Sequence, residues 1–227
     1  KNQKILDFQN KNNNLFSIAR NHDLYHCLLS NLKKNKLISF KKKNKFLEKL
    51  ICRYDLVFNC NHSNSISKKF FFRKIDKDYK SFAHITTIEH KKIPNNHIAS
   101  QVFTKNGPLA FLPISPSETS VVYSAKGQKN IDIRNCIQKY NMRYQNLKFN
   151  KTYYIELKSS NLRSYYYKNI IAFGDLLHRL HPLAGQGFNM TIRDIKELQI
   201  LIELKKKHGL GLDNSICVDF EKNTKNK

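Results

Sequence analysis

The fold of this chain is predicted most strongly by residues 174–189, GDLLHRLHPLAGQGFN. The apolar run NIIAF, residues 169–173, precedes it and predicts a strand buried on both faces. Asp175 therefore leaves this strand at the carboxyl edge of a sheet, which is the edge where α/β folds bind ligands. The sequence predicts an α/β domain with a ligand site after this strand.

A long helix is predicted to begin near Phe188. Lys205, Lys206 and Lys207 fall in its last turn, and Gly209 supplies the left-handed residue that ends it. Its apolar residues recur at helical spacing and predict one core-facing stripe: Phe188, Ile192, Ile195, Leu198, Leu201 and Ile202.

The turn between strand and helix has the chemistry of an anion or cofactor site. Pro182 stiffens the turn, and Gly185 and Gly187 leave room for a ligand to approach backbone N–H groups. The positive end of the helix favours negative charge on that ligand. Asp175 can accept hydrogen bonds from sugar or ribityl hydroxyls. These features suit a flavin.

Two other interpretations of the same stretch are weaker. A G-x-G before a helix is common, and this one lacks the third glycine of a dinucleotide-binding fingerprint. His178 and His181 lie three residues apart, but no helix-borne glutamate or nearby cysteine completes a metal site, so we predict none.

Strand-like segments in the middle of the chain predict an antiparallel sheet between two α/β parts, because β-branched runs alternate there with Gly-Pro and Pro-x-x-Pro turns. The predicted strands are residues 4–7, 38–40, 54–58, 82–88, 98–103, 109–112, 120–124 and 152–157, and the predicted helices are residues 20–33 and 130–148.

The whole string 174–194 resembles the second FAD-binding motif of the flavin-dependent aromatic hydroxylases of ubiquinone biosynthesis, G-D-A-A-H-x-x-H-P-x-A-G-Q-G-x-N-x-G-x-x-D. Leu176, Leu177 and Thr191 depart from it. The matching positions are Gly174, Asp175, His178, His181, Pro182, Ala184, Gly185, Gln186, Gly187, Asn189 and Asp194. Residues 16–24, 87–90, 99–103 and 107–113 also resemble segments of this family.

The resemblance implies a fold of the para-hydroxybenzoate hydroxylase type. This is a mixed α/β and α+β architecture, in which a partial, Rossmann-like FAD-binding domain is interrupted by an antiparallel β-sheet substrate domain. We expect the FAD domain at residues 1–68 and 158–227 and the sheet domain at residues 69–157. Because Lys1 lies within polar sequence, we expect a piece of a longer protein, without the first βαβ unit and the C-terminal part of the family, and inactive alone.

The same resemblance implies a monooxygenase that hydroxylates a polyprenyl phenol with FAD, NAD(P)H and O2. Asp175 would hold the ribityl chain, and Pro182 would lie near the reacting face as the candidate catalytic residue. The candidate cofactor-binding residues are Gly174, Asp175, His178, Pro182, Ala184, Gly185, Gln186, Gly187, Asn189 and Asn61.

One motif departs from the family in a way that bears on activity. The family has D-L-V-I-G-A-D-G-x-x-S, whereas this chain has DLVFNCNHSNS at residues 55–65. Asn61 keeps an acceptor but loses the charge, and His62 replaces a glycine. Tyr25 replaces a glutamine that often follows the Asn21–Leu24 segment. A flavoprotein of the same fold that has lost hydroxylation therefore stays open as an alternative.

Composition sets wider bounds. The 227 residues allow one large or two small domains, and 40% hydrophobic residues suffice for a core. Forty-one basic and 17 acidic residues give a net charge of +24, spread along the chain with Asn, Ile and Phe as AT-rich coding would produce. A basic nucleic-acid-binding module is the alternative from another class, and weak attraction to an anionic membrane is as plausible.

Cysteine usage and hydropathy indicate the compartment. The five cysteines form no C-x-x-C pair, which argues against a disulfide framework. No apolar run approaches the roughly 18–20 residues that span a bilayer. We expect a cytoplasmic protein, or one that is peripheral on the inner face of the membrane, with no nucleic-acid partner. The family resemblance also implies association with a ubiquinone-synthesis complex.

Overall fold

The computed structural model describes residues 6–9, 15–41, 53–127, 129–180 and 186–225. The chain divides into two compact units. Unit 1 comprises residues 1–40, 84–124 and 131–153, and unit 2 comprises residues 41–83, 125–130 and 154–227.

The described chain contains both helices and strands. The helices are Asn21–Lys34 (α1), Ser65–Phe70 (α2), Ile133–Tyr140 (α3), Gln186–Lys207 (α4) and Asn214–Lys225 (α5), with a 3-10 turn at Gly174–Leu176. The strands are Val57–Asn59 (β1), Lys74–Glu89 (β2), Ser100–Thr104 (β3), Gly107–Ser115 (β4), Glu118–Lys126 (β5), Lys148–Phe149 (β6), Tyr153–Leu162 (β7), Tyr166–Tyr167 (β8), Ile170–Ala172 (β9) and His178–Arg179 (β10).

Unit 1 is built on the predicted middle sheet. β3 pairs antiparallel with β4, and β4 pairs antiparallel with β5, with Leu109 opposite Tyr123 and Phe111 opposite Val121. These four side chains are buried, so alternate residues of the two strands form the core of the sheet. The prediction of an antiparallel sheet in the middle of the chain is confirmed.

Unit 2 contains a three-stranded sheet in the order β1-β9-β8. β1 runs parallel to β9, and β8 runs antiparallel to it. All three residues of β9 are buried, as the apolar run predicts. The core around this sheet takes side chains from α2, β9, the 3-10 turn and α5, including Ile66, Phe71, Ile170, Ile171, Leu177, Ile216, Cys217 and Phe220.

Helix α4 ends as predicted. Gly209 has a φ of +66°, its N–H donates to the carbonyl of Lys206, and the Leu210 N–H donates to the carbonyl of Lys205. This pair of hydrogen bonds is the Schellman motif, which satisfies two carbonyls at the end of the helix.

The predicted apolar stripe of α4 is wrong in its first half. Phe188, Ile192 and Ile195 are about half exposed, whereas Leu198, Leu201 and Ile202 pack against the core. The face of the helix that meets the core is rotated, because Asp194, one turn before Leu198, is the buried residue of this helix.

Three shorter predictions also differ from the structure. Residues 38–40 form no strand, and the strand predicted at 54–58 is limited to β1. The helix predicted at 130–148 is α3 alone, because the Asn141 side chain accepts hydrogen bonds from the Arg143 and Tyr144 N–H groups and turns the chain. Of the strand predicted at 4–7, Lys4 and Ile5 lie outside the described residues, and Leu6 and Asp7 have no regular structure.

The three-part division into domains stays a prediction, since the compact units follow other bounds. Among the residues described, no helix has the length and apolar content to cross a lipid bilayer.

Gly209→Ala tests the Schellman end of α4. An alanine at a φ of +66° is strained, and we expect a loss of about 1 kcal/mol in the free energy of unfolding, measured by urea denaturation. Gly211→Ala is the matched control, because a Cβ also meets nothing within 4 Å there and the φ is not positive. Equal stability of the two variants would contradict this assignment.

Candidate functional site

Parallel pairing of β1 with β9 brings two loops to one edge of the sheet. Val57 lies opposite Ile170 and Asn59 opposite Ala172, so both strands end together. The Phe173 N–H extends the ladder by donating to the Asn59 carbonyl at 3.0 Å. Residues after Asn59 and after Phe173 therefore emerge side by side.

Gly174 turns the chain out of the sheet at this edge. Its φ is +60°, a left-handed conformation that suits glycine, and the Leu177 N–H donates to its carbonyl at 2.9 Å to close a 3-10 turn. The turn buries Leu176 and Leu177 in the core and leaves Asp175 exposed. The Asp175 carboxylate has no hydrogen bond or ion pair among the described residues.

Electrostatics also place Asp175 beside the β1 loop. The pKa of the Cys60 thiol is raised, first by partial burial of the group and then by the negative charge of Asp175. Cys60 follows β1 directly and Asp175 follows β9, so the carboxylate lies at the edge that the strand pairing predicts.

The loop after β1 is held by a buried polar network centred on Asn59. The Asn59 amide donates to the Ser67 hydroxyl at 2.8 Å, and its oxygen accepts from the Asn64 amide at 2.7 Å. Asn64 also caps α2, since its side chain accepts from the Ser67 N–H at 2.8 Å. The Ser67 hydroxyl in turn donates to the Asn61 carbonyl. This network fixes the loop against the sheet.

Asn61 and His62, which replace an acid and a glycine of the family motif, lie in this loop. The Asn61 side-chain oxygen accepts from the N–H and the hydroxyl of Ser63, at 2.8 and 2.9 Å, so it shapes its own turn. His62 does not have a positive φ and therefore imposes no backbone strain where the family has glycine. Both residues are exposed.

The start of helix α4 is the third part of the candidate site, after the loop that follows β1 and the 3-10 turn. It packs against the 3-10 turn and against β10, and its first residues, Gln186, Gly187 and Asn189, are exposed or half-buried. A Cβ added at Gly187 would meet no atom of the described residues within 4 Å, so those residues leave space beside the start of the helix. The unpaired N–H groups of the first turn carry partial positive charge.

The other predicted ligands in this stretch lie outside the described residues. They are Pro182, Ala184 and Gly185, and His181, which matches the motif without an assigned role, also lies outside. Their assignment, including Pro182 as the candidate catalytic residue, stays a prediction.

His178 was predicted to bind cofactor, and its side chain is buried. Its Nε2 lies 3.5 Å from Oδ2 of Asp194, and the exposed fractions of the two side chains are 6% and 7%. Its ring meets Tyr165 edge to face, with centroids 5.4 Å apart. Oδ2 of Asp194 has no well-formed hydrogen bond with any described residue. Direct contact of His178 with a cofactor is untested.

Burial shifts the titration of this group of residues. It raises the pKa of Asp194 from 3.8 to about 6 and lowers the pKa of His178. Burial, followed by the charges of Asp194 and Glu221, raises the pKa of Tyr165. At neutral pH the carboxylate is therefore costly to keep ionised, and His178 is neutral.

Asp194 is the site residue that the sequence analysis did not assign. It matches the last position of the family motif, yet it was given no role. The available signal is its place on α4, where it lies one turn before Leu198 on the face that packs against the core. A carboxylate on such a face needs a buried partner.

In the described ranges, no group of three or more His, Cys, Asp or Glu residues lies close enough to hold a metal ion.

Two curated relatives have sequences similar to this chain. The mitochondrial ubiquinone biosynthesis monooxygenase COQ6 of Homo sapiens is 23% identical over 180 residues, which are 60% of this chain and 38% of that protein. Its counterpart in Schizosaccharomyces pombe is 21% identical over 203 residues, which are 68% of this chain and 42% of that protein. The chain thus spans less than half the length of these relatives. No family model matches it.

The chain is similar in sequence to these ubiquinone biosynthesis monooxygenases. Solved structures agree in fold. The flavin-dependent halogenase CmlS superposes with a TM-score of 0.58 at 14% identity, over 76% of this chain and 34% of that chain. The p-nitrophenol 4-monooxygenase PnpA of Pseudomonas putida superposes with a TM-score of 0.57 at 12% identity, over 74% and 46%. The predicted fold class and family resemblance are confirmed.

Asp194→Asn tests the raised pKa. The ordinary pKa of 3.8 applies to the unfolded chain and about 6 to the folded one, so the carboxyl stabilises the fold at low pH, and that contribution is lost as the pH rises through 6. The side-chain amide of the Asp194→Asn variant does not titrate, so the variant does not lose this stabilisation as the pH rises. Relative to wild type, we expect the variant to gain roughly 2 kcal/mol in the free energy of unfolding between pH 4.5 and pH 8.

Urea denaturation at the two pH values measures this difference in the free energy of unfolding. Glu203→Gln removes an exposed carboxylate from the same helix and is the control. A difference between Asp194→Asn and wild type that stays constant with pH would show that Asp194 titrates at its ordinary pKa.

Proposed function

We propose that this chain is the flavin-contacting part of an FAD-dependent monooxygenase that hydroxylates an aromatic ring with NAD(P)H and O2. The observation that carries the proposal is the exposed, unpaired Asp175 at the carboxyl end of β9, on a turn that packs against α4. Sequence similarity to ubiquinone biosynthesis monooxygenases supports the proposed reaction class.

The described residues fit a flavin in three respects. Asp175 presents carboxylate oxygens to solvent, where ribityl hydroxyls can donate to them. The space beside Gly187 is open, so a flat ring can approach the backbone there. The N–H groups at the start of the 22-residue helix α4 carry partial positive charge, which favours negative charge on a bound flavin.

Each residue then has a distinct part in holding the cofactor. Asp175 orients the ribityl chain, and Gly185, Gln186, Gly187 and Asn189 bind the pyrimidine edge of the ring. The assignment of Ala184 to the cofactor site rests on the sequence motif. Gly174 supplies the turn that aims Asp175 outward. The bound flavin supplies the redox chemistry that activates dioxygen. Pro182 is proposed to border the reacting face and to help exclude water from it.

The substrate is proposed to be a hydrophobic phenol, a polyprenyl phenol, as the family resemblance implies. The names of the relatives support a place in ubiquinone biosynthesis. Such a substrate partitions into lipid. The net charge of +24 favours contact with an anionic membrane surface, which supports a peripheral location.

A flavoprotein that has lost hydroxylation is the second candidate, and Asn61 favours it. The family has an acid here, whereas the Asn61 oxygen is engaged by Ser63 within its own turn. Assay of the complete protein with NADPH and a phenol separates the two functions. NADPH oxidation without a hydroxylated product indicates the second.

Asp175→Ala tests the flavin site. Loss of a charge-assisted hydrogen bond costs about 1.5–3 kcal/mol, so we expect FAD affinity to fall by at least about 10-fold. Quenching of flavin fluorescence on titration with the 227-residue chain measures it. Wild type is expected to bind FAD weakly, since its sequence has no G-x-G-x-x-G for the diphosphate.

Asp219→Ala is the matched control, because Asp219 is an exposed carboxylate in unit 2 on a different helix, α5. The control should bind FAD as wild type does. Unchanged affinity in Asp175→Ala, or an equal loss in both variants, would contradict the assignment of Asp175.

A further inference from the structure

The buried pair of His178 and Asp194 joins the two elements that carry the flavin residues. His178 lies on β10, two residues after the 3-10 turn that presents Asp175. Asp194 lies on α4, eight residues after Gln186. Contact between the two side chains therefore ties the turn that carries Asp175 to the helix whose start is proposed to meet the flavin ring.

None of the other charged or titratable groups described around the pair replaces His178 as the partner of Asp194. Tyr165 packs on the His178 ring, and Lys225 lies over Tyr165 with its ammonium group 5.1 Å from the ring centroid. That ammonium group is paired with Glu221 on α5. Asp175 on the 3-10 turn is exposed and adds only negative charge to this region.

We propose that His178 and Asp194 are positioning residues that share one proton and clamp β10 to α4, so that the start of α4 is fixed relative to Asp175. The pair is neutral when it holds the proton, which removes the cost of a buried charge with no well-formed hydrogen bond. Loss of the proton leaves a buried carboxylate beside a neutral imidazole and loosens the clamp.

The pKa shifts of the two residues are consistent with a shared proton. The pKa of Asp194 is raised to about 6, and that of His178 is lowered, so the pair takes up its proton as the pH falls through about 6. The clamp is therefore tight below pH 6 and looser above it. The role assigned to the clamp in flavin binding rests on the proposed function, whereas the clamp itself does not.

NMR titration of the isotope-labelled 227-residue chain from pH 4.5 to pH 8.5 tests the clamp. We expect the His178 ring and the backbone amides of Gln186 and Gly187 to shift with a common midpoint near pH 6 in wild type. In Asp194→Asn that midpoint should vanish at all three positions, and in Glu203→Gln it should remain. A buried pair with only a structural role predicts no titration at the start of the helix.

The proposal is overturned if the two amides do not titrate with His178 in wild type, a result that needs no variant to fold. It is also overturned if Asp194→Asn keeps the midpoint. Addition of FMN at pH 5.5 separates this proposal from the proposed function. A common midpoint with no flavin-induced shifts supports the clamp and counts against the flavin site, and flavin-induced shifts without that midpoint do the reverse.

Discussion

The parallel pairing of β1 with β9 is the constraint on which the candidate site depends. Ile170, Ile171 and Ala172 are almost fully buried, so β9 is held by the core on both faces. Because β1 pairs with it in register, the loops after Asn59 and after Phe173 must leave the same edge of the sheet. Any shift of this register would move Asp175 away from the Asn59 network and from helix α4.

At this edge of the sheet, the residues held by hydrogen bonds are different from those that are exposed to a ligand. The buried amide of Asn59, with Asn64 and Ser67, forms a closed network of hydrogen bonds that holds the first loop. Asp175, Gln186 and Asn189 are exposed and make no such contacts within the described chain. A rigid frame with unpaired polar groups at its rim is the arrangement that a preorganised ligand site requires.

Much of the fold follows from local sequence. The apolar run before Gly174, the β-branched segments of the middle sheet and the glycine at the end of α4 each predicted their element, because each reflects a local preference. The orientation of α4 could not be predicted from its apolar spacing. It depends on the burial of Asp194 against His178, which lies on another element, β10. Likewise, α3 ends at Tyr140 because of the Asn141 turn, which hydropathy does not reveal. The position of Asp175 at the sheet edge could be predicted from the sequence, whereas the buried pair of His178 and Asp194 could not.

We propose that a flavin ring lies between Asp175 and the first turn of α4. A crystal structure of the chain soaked with FMN tests this placement. We expect difference density for the isoalloxazine beside Gly187, with the ribityl hydroxyls within hydrogen-bond distance of the Asp175 carboxylate. Density for the flavin at another surface, with Asp175 and Gly187 both free of ligand, would contradict it.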